Sequence, residues 1–272
     1  MIKPPLQFKL LVTIASLFSL GAHAAPAVTA LPGGGVVSAG SAVISQSVGA
    51  NSASMTINQS SQRAVIDWNS YNVGQNATVT YNQPNSQSST LNRISDPNVS
   101  QIFGQIKSNG EVVLVNPQGV YFSPSASVNV GALVATTNNI SNSDYMNGKA
   151  TYSENGATGS VVNDGKITAG LGRYVALLAP AVRNNGIIIA QMGTVVLAAG
   201  NTITLNFNSG NHLASITATP SHINALVENH NAVIAPGGLI ILSARAANEL
   251  VGGVINQGGK VSVSNLALNQ VG

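Results

Sequence analysis

The chain contains no cysteine. Disulfides and thiolate metal sites are therefore excluded, and any fold must be held by its core alone. Charge is almost as scarce, at 7% of residues, against about a quarter in an ordinary soluble domain. Aromatic residues make up 4%, with a single tryptophan. Convincing helical periodicity is missing; only Pro97 to Ile106 reads as a place for one short helix. Long apolar runs are missing too, since every run after the first 24 residues is short or broken by Gly, Pro or Asn. No transmembrane segment is expected there. Hydrophobic residues nevertheless reach 44%, which is not the composition of a disordered chain. Aliphatic strands with uncharged polar turns fit it.

The first 24 residues read as a signal peptide. Lys3 and Lys9 supply positive charge, Leu10 to Leu20 an apolar stretch, and Ala22-His23-Ala24 the small-x-small cleavage pattern. That stretch is well short of the about 20 residues a bilayer span needs. Removing Lys3 and Lys9 leaves 9 basic against 8 acidic residues from the totals of 11 and 8. The remaining cations are scattered singly, so no nucleic-acid partner is expected.

Residues 25–272 read as one β-domain. Ala25 to Gly40 is rich in Gly, Pro and Ala and reads as an irregular entry. From Ser41 apolar and polar residues alternate, the mark of half-buried strands. The second half repeats. Val-x-Asn phrases place Asn163, Asn184, Asn229 and Asn256 at spacings of 21, 45 and 27. The gap of 45 is read as two units, one degenerate, with an excursion near Asn206 to His212. A second phrase, Val175-Ala176-Leu177, returns as Val195-Val196-Leu197 and Ile240-Ile241-Leu242. Gly172, Gly193 and Gly238 precede these, the first with a one-residue slip. Gly and Asn at such corners are attributed to positive φ.

A period in the low twenties with two or three strands per unit predicts an all-β fold, a right-handed parallel β-helix (a solenoid). A leucine-rich repeat has a similar period, but needs a longer leucine framework and a helical back. The four asparagines are candidates for a ladder stacked at one corner.

The stretch from Asp67 to Thr137 resembles the amino-terminal two-partner secretion domain of filamentous haemagglutinin-type exoproteins. The phrases that carry the resemblance are WNSYNVG (Trp68 to Gly74), YNQPNS (Tyr81 to Ser86), LNRI (Leu91 to Ile94), SQIFGQI (Ser100 to Ile106), NGEVVLVNPQGVYF (Asn109 to Phe122) and GALVATT (Gly131 to Thr137). The likeness extends over about Pro32 to Arg245. It implies a β-helix with an amino-terminal cap and small extra-helical β-elements. It also implies a cognate outer-membrane transporter as partner, and secretion through the periplasm to the cell surface or medium. Host-surface glycans or receptors would be partners of an adhesin of this kind. The family's Asn-Pro-Asn-Gly turn falls on Asn116, Pro117, Gln118 and Gly119, with Gln118 departing from the pattern. Pro117 and Gly119 still suit a tight turn.

Trp68, with Tyr71 and Tyr81 nearby, suits a sugar platform but reads better as core. Asp67 has no partner carboxylate at a glycosidase spacing. His212, His222 and His230 match no compact ligand motif. Gly33-Gly34-Gly35 lacks the lysine of a phosphate loop. No catalytic residue, metal or cofactor is expected. The rival readings are a β-helical polysaccharide-binding or lyase protein, against which the acidic residues are dispersed, and the delivery head of a contact-dependent toxin. Val271-Gly272 gives no closing cap, so a longer gene product or a truncated copy is expected.

Overall fold

The computed structural model describes residues 24–220, 225–245, 253–257 and 261–271. The chain opens with a cap of two strands, β1 (Val36–Ala39) and β2 (Ala42–Val48). Coil 1 follows as β3 (Ala53–Gln59) and β4 (Arg63–Trp68), and coil 2 as β5 (Ala77–Asn82) and β6 (Ser89–Ile94). Coil 3 is β7 (Ser100–Ile102), β8 (Gln105–Ser108) and β9 (Glu111–Val115). Coil 4 is β10 (Gly119–Phe122), β11 (Ser127–Val130) and β12 (Ala132–Thr136). An excursion of α1 (Asn142–Met146) and β13 (Thr151–Ser153) precedes coil 5, which is β14 (Ser160–Asn163), β15 (Lys166–Ala169) and β16 (Tyr174–Leu178). Coil 6 is β17 (Ala181–Asn184), β18 (Ile187–Ile189) and β19 (Thr194–Ala199). A hairpin of β20 (Thr202–Phe207) and β21 (Leu213–Ala218) leads to β22 (Ala225–Asn229) and the long β23 (Ala232–Arg245). The last strands are β24 (Gly253–Gln257) and β25 (Val261–Val271).

Successive coils stack in parallel, which makes a three-faced β-helix. One face, the front, runs β4-β6-β9-β12-β16-β19-β23. The back runs β3-β5-β8-β11-β15-β18-β23, with β23 long enough to serve both. The side face runs β7-β10-β14-β17-β22-β24. Val120, Val161, Val182, Val227 and Ile255 share one column on the side face. The axis between the faces is filled by Ile57, Ile106, Leu114, Leu133, Leu177, Leu197 and Leu242 among others.

The faces differ in what lies outside them, and the sequence records the difference. Back-face strands alternate: in Gln105–Ser108 only Ile106 is buried, and in Ser127–Val130 Val128 and Val130 are. From coil 3 to coil 6 the front-face strands are nearly continuous apolar runs, as in Val112-Val-Leu-Val115 and Val195-Val-Leu-Ala-Ala199. A parallel strand reads that way when both of its faces are covered. The cover is the excursions. β13 pairs antiparallel with β20, and β20 with β21, giving a three-stranded extra-helical sheet. Its Tyr152, Ile203, Leu205 and Leu213 pack on the outward Val113, Val134, Ala176 and Val196 of the front face. The cap lies antiparallel on coil 1, β1 on β4 and β2 on β3, and adds Val37, Ala42 and Ile44 to the axis core.

Four sequence expectations change. Pro97 to Ile106 holds no helix; Ser100–Ile102 and Gln105–Ser108 are strands paired in register with coil 4. The one helix among the described residues, Asn142–Met146, starts at Ser141, whose hydroxyl accepts from the Asp144 N–H. The entry is not wholly irregular, since Val36–Ala39 is a strand. The 45-residue gap is one coil carrying the β20–β21 hairpin, because Asn184 pairs directly with Asn229. Positive φ is found at the corner glycine Gly172 but not at Gly193, Gly238, Gly165 or Gly186. Closeness explains these glycines: a Cβ on Gly186 would sit 2.1 Å from the Gly165 carbonyl oxygen of the coil before.

Candidate recognition turn

Asn116 to Gly119 makes the tight corner between β9 and β10, where the chain leaves the front face for the side face. The Gly119 N–H donates to the Asn116 carbonyl at 2.9 Å, and the Gln118 N–H to Asn116 Oδ1 at 2.9 Å. Gly119 has φ +117, a conformation costly for any residue with a Cβ, and a Cβ there would lie 2.6 Å from the Ser160 carbonyl oxygen. Asn116 is fully buried. Its Nδ2 donates to the Asn98 carbonyl at 3.0 Å and to Ser100 Oγ at 2.9 Å, both in the coil before. On the other side the Gly159 N–H reaches the Pro117 carbonyl at 3.3 Å. The turn is thus pinned along the axis from both neighbours, and only Gln118 is exposed. The residue that departs from the family pattern is the one whose side chain carries no structural load.

The other phrases of the resemblance build a buried polar network that sequence reasoning missed. Asn92, fully buried, accepts from Trp68 Nε1 at 3.0 Å and from the Tyr81 hydroxyl at 2.9 Å. Tyr81 and Tyr71 share a hydroxyl contact of 2.6 Å, and Trp68 meets Tyr71 edge-on at 5.7 Å. Burial pushes both phenols upward in pKa, so they stay neutral donors. Trp68 is 2% exposed, which leaves no platform for a sugar. Gln83 likewise ties Thr90 Oγ1 (2.8 Å) to the Glu111 carbonyl (2.9 Å). Arg93 is a clamp. It pairs with Asp67 at 3.1 Å and donates to Asn142 Oδ1 and the Ile140 carbonyl, each at 2.7 Å, so the excursion is anchored to coils 1 and 2. The available signal was weak: a polar pair, Asn92-Arg93, between Leu91 and Ile94.

Three asparagines stack at the side-to-back corner. Asn163 Nδ2 donates to Asn184 Oδ1, and Asn184 Nδ2 to Asn229 Oδ1, each at 2.7 Å. All three are fully buried. Asn256 is one position out of this column. Backbone pairing sets Asn229 opposite Gln257 and Glu228 opposite Asn256, since Ile255 rather than Val254 aligns with Val227.

The remaining candidates are dispersed. Asp67 is engaged by Arg93. His212 Nδ1 contacts the Gly172 carbonyl at 2.9 Å, and His230 lies 3.5 Å from Glu228. His222 and Ala22 lie outside the described residues. The Ala24 carbonyl accepts from Gln101 Nε2 at 3.3 Å. Among the described residues no three His, Asp or Glu side chains gather as a metal site. No helix among them is long and apolar enough to cross a membrane.

The fold is that of a capped parallel β-helix with extra-helical strands, a solenoid domain. Residues 34–271 match the family of TPS secretion domains, and the chain belongs to that family. It is 32% identical over 203 residues to a heme/hemopexin-binding protein of Haemophilus influenzae strain Rd, an alignment covering 72% of this chain and 22% of that protein. A second heme/hemopexin-binding protein of H. influenzae is 44% identical over 86 residues, 32% of this chain and 9% of that protein. The chain therefore spans under a quarter of the length of these relatives. The crystal structure of the HMW1 secretion domain from H. influenzae superposes with a TM-score of 0.69 at 28% identity, covering 88% of this chain and 66% of that one. The family is one of secretion domains of exported proteins rather than an enzyme family, and its members are secreted across the outer membrane.

Proposed function

We propose that this chain is the secretion module of a larger exported protein, recognised by a cognate outer-membrane transporter and folded coil by coil outside the cell. Family membership over residues 34–271 is the observation that carries this reading. The geometry supports a division of labour at the corner. Asn116 and Gly119 form the turn, and Gln118, exposed at its tip, is the side chain free to meet the transporter. The driving force outside is coil stacking, which removes the axis residues from water and resists back-sliding. The route runs through the periplasm, where the leader would be removed after Ala24.

Secretion with and without the neighbouring transporter tests the reading. Release of β-rich protein only when the transporter is present supports it. Equal release without the transporter overturns it. Gln118→Ala and Asn116→Ala separate the roles at the corner: the first is expected to lower release while leaving the refolded stability unchanged, the second to lower both.

A second reading concerns the whole exported protein. The 32% identity to a heme/hemopexin-binding protein favours heme or a heme carrier as its cargo over a host-surface glycan or receptor. Heme titration and glycan-array binding of the full-length product decide between cargo binding and adhesion.

A further inference from the structure

A small pocket lies where the extra-helical sheet closes over the front face. Its lining includes Arg63, Glu111, Tyr145, Tyr152, Arg173 and Tyr174, from coils 1, 3 and 5 and the first excursion, and it encloses about 60 Å³. A single water needs roughly 10–15 Å³ by the same kind of measure, so the space holds several waters or one small ion. Phe207 of the hairpin also lines it, its ring tilted 58° to that of Tyr174 with centroids 5.3 Å apart.

The charges at this pocket do not pair off. Among the described residues the salt bridges use Arg93, Lys149, Arg183 and His230, and neither Arg63 nor Arg173 is in one. Arg63 lies over the Tyr145 ring at 5.5 Å and Arg173 over the Tyr174 ring at 5.8 Å. Arg173 donates one bond, to Gln87 Oε1 at 2.7 Å, while its Nε is buried with no hydrogen-bond partner. Glu111 is already engaged, accepting from the Tyr174 hydroxyl at 2.6 Å. Lys149, at the rim, is held by Asp144 at 2.7 Å. Two guanidinium groups against one carboxylate leave a surplus positive charge in a partly desolvated space. In a chain this poor in charge, placing two arginines without a carboxylate partner together is not explained by solubility. A buried guanidinium N–H without an acceptor is costly, and arginine's planar fork matches an oxyanion.

We infer that this pocket binds a small oxyanion, a carboxylate or phosphate group, between Arg63 and Arg173. The site is assembled from segments between residues 63 and 211, so it exists only after coils 1 to 6 and both excursions have folded. A ligand there stabilises the folded state alone.

The test is thermal melting of the purified full chain, followed by circular dichroism, in sodium acetate or inorganic phosphate against sodium chloride of equal ionic strength. At a hundredfold excess over Kd the midpoint is expected to rise by about 5–10 °C. The rise is expected to vanish in Arg63→Gln and Arg173→Gln and to persist in Lys107→Gln, a back-face residue away from this pocket. Response to acetate but not phosphate, or the reverse, identifies the group and supports the site. Melting in chloride shows whether each variant folds. Titration calorimetry on the unaltered chain gives an answer that does not depend on them. No heat and no shift with either anion, or an equal shift in the arginine variants, overturns the inference.

Discussion

Replacing Asn184 by alanine removes the middle rung of the asparagine ladder. Three buried hydrogen bonds go with it: the one accepted from Asn163 Nδ2 at 2.7 Å, the one donated to Asn229 Oδ1 at 2.7 Å, and the one donated to the Gly186 carbonyl at 3.2 Å. At about 1 kcal/mol each, with the small hole left by the amide, the loss is about 3–4 kcal/mol. Asn185→Ala is the matched control. Its side chain is exposed and donates only to Asp164 Oδ1, so its removal is expected to cost no more than about 0.5 kcal/mol. A long array of repeats does not always unfold in one step, so urea unfolding by circular dichroism needs native-state amide exchange beside it. The expected pattern is lost protection in coils 5 and 6 and in β22, including the Gly186 N–H that bonds the Asn163 carbonyl, with coil 2 unchanged. Equal effects of Asn184→Ala and Asn185→Ala, or loss spread evenly over all coils, would refute the ladder as a local staple between coils.

Gly119→Ala combines a φ of +117 with a Cβ 2.6 Å from the Ser160 carbonyl. It is expected to destabilise the refolded chain by about 1–3 kcal/mol or more, measured as a lower urea midpoint. Val195→Pro removes a ladder donor from β19, which pairs on both sides, with β16 and β23. It is expected to stall export while a surface change such as Asn185→Ala does not, read as the ratio of released to periplasmic protein. Alkaline lability should follow from the tyrosines. Burial, then Asp164, raises Tyr121 to about 12, and burial raises Tyr71, Tyr81, Tyr145, Tyr152 and Tyr174 as well. An unfolded tyrosine loses its proton near pH 10. The stability from these neutral phenols is therefore fully present below pH 10 and is lost as pH rises from there through the folded values. Tyrosinate absorbance should rise together with loss of β-structure, and independent titration of the phenols in a folded chain would contradict this.

The β-helix was legible because its coils repeat: the phrases at Val175, Val195 and Ile240 return once per coil, as do Asn163, Asn184 and Asn229. The difference between faces was not read: Gln105–Ser108 alternates on the solvated back but is too short to keep Pro97 to Ile106 from reading as a helix, and the runs Val112–Val115 and Val195–Ala199 lie on the doubly covered front. What covers the front was not legible. Tyr145, Tyr152 and Leu213 sit in excursions whose partners are set by long-range pairing of β13 with β20, which leaves no periodic trace. Asn256 shows the limit of reading a repeat from one residue. Stacking follows the backbone ladder, and a one-residue offset between Val254 and Ile255 moves Gln257 into the column. The polar interior was not legible, because the polar residues of Ser89–Ile94 read as solvent-facing although Ser89, Thr90 and Asn92 are buried.

The order in which contacts become possible bears on export. Coils 1 to 4 bond their own neighbours, at separations of about one coil, so each can form as soon as its residues emerge. The extra-helical sheet cannot. β13 at Thr151–Ser153 waits for β20 at Thr202–Phe207, and the hairpin is completed only at Ala218. Until then the outward side of the front face, Val113, Val134, Ala176 and Val196, has only the Ile140, Tyr145 and Tyr152 side of its cover and lacks Ile203, Leu205 and Leu213. An amino-to-carboxyl passage therefore builds the axis first and buries the front face afterwards, in one late step that joins the loops leaving coils 4 and 6. Arg93 makes that step productive, because its hold on Asn139, Ile140 and Asn142 fixes the start of the first excursion before its partner exists. Arg93→Ala leaves the coil pairings intact but frees that anchor. It is expected to slow closure, seen as prolonged binding of a hydrophobic dye during refolding, with normal acquisition of β-structure. Unchanged dye kinetics would refute Arg93 as the anchor of that closure.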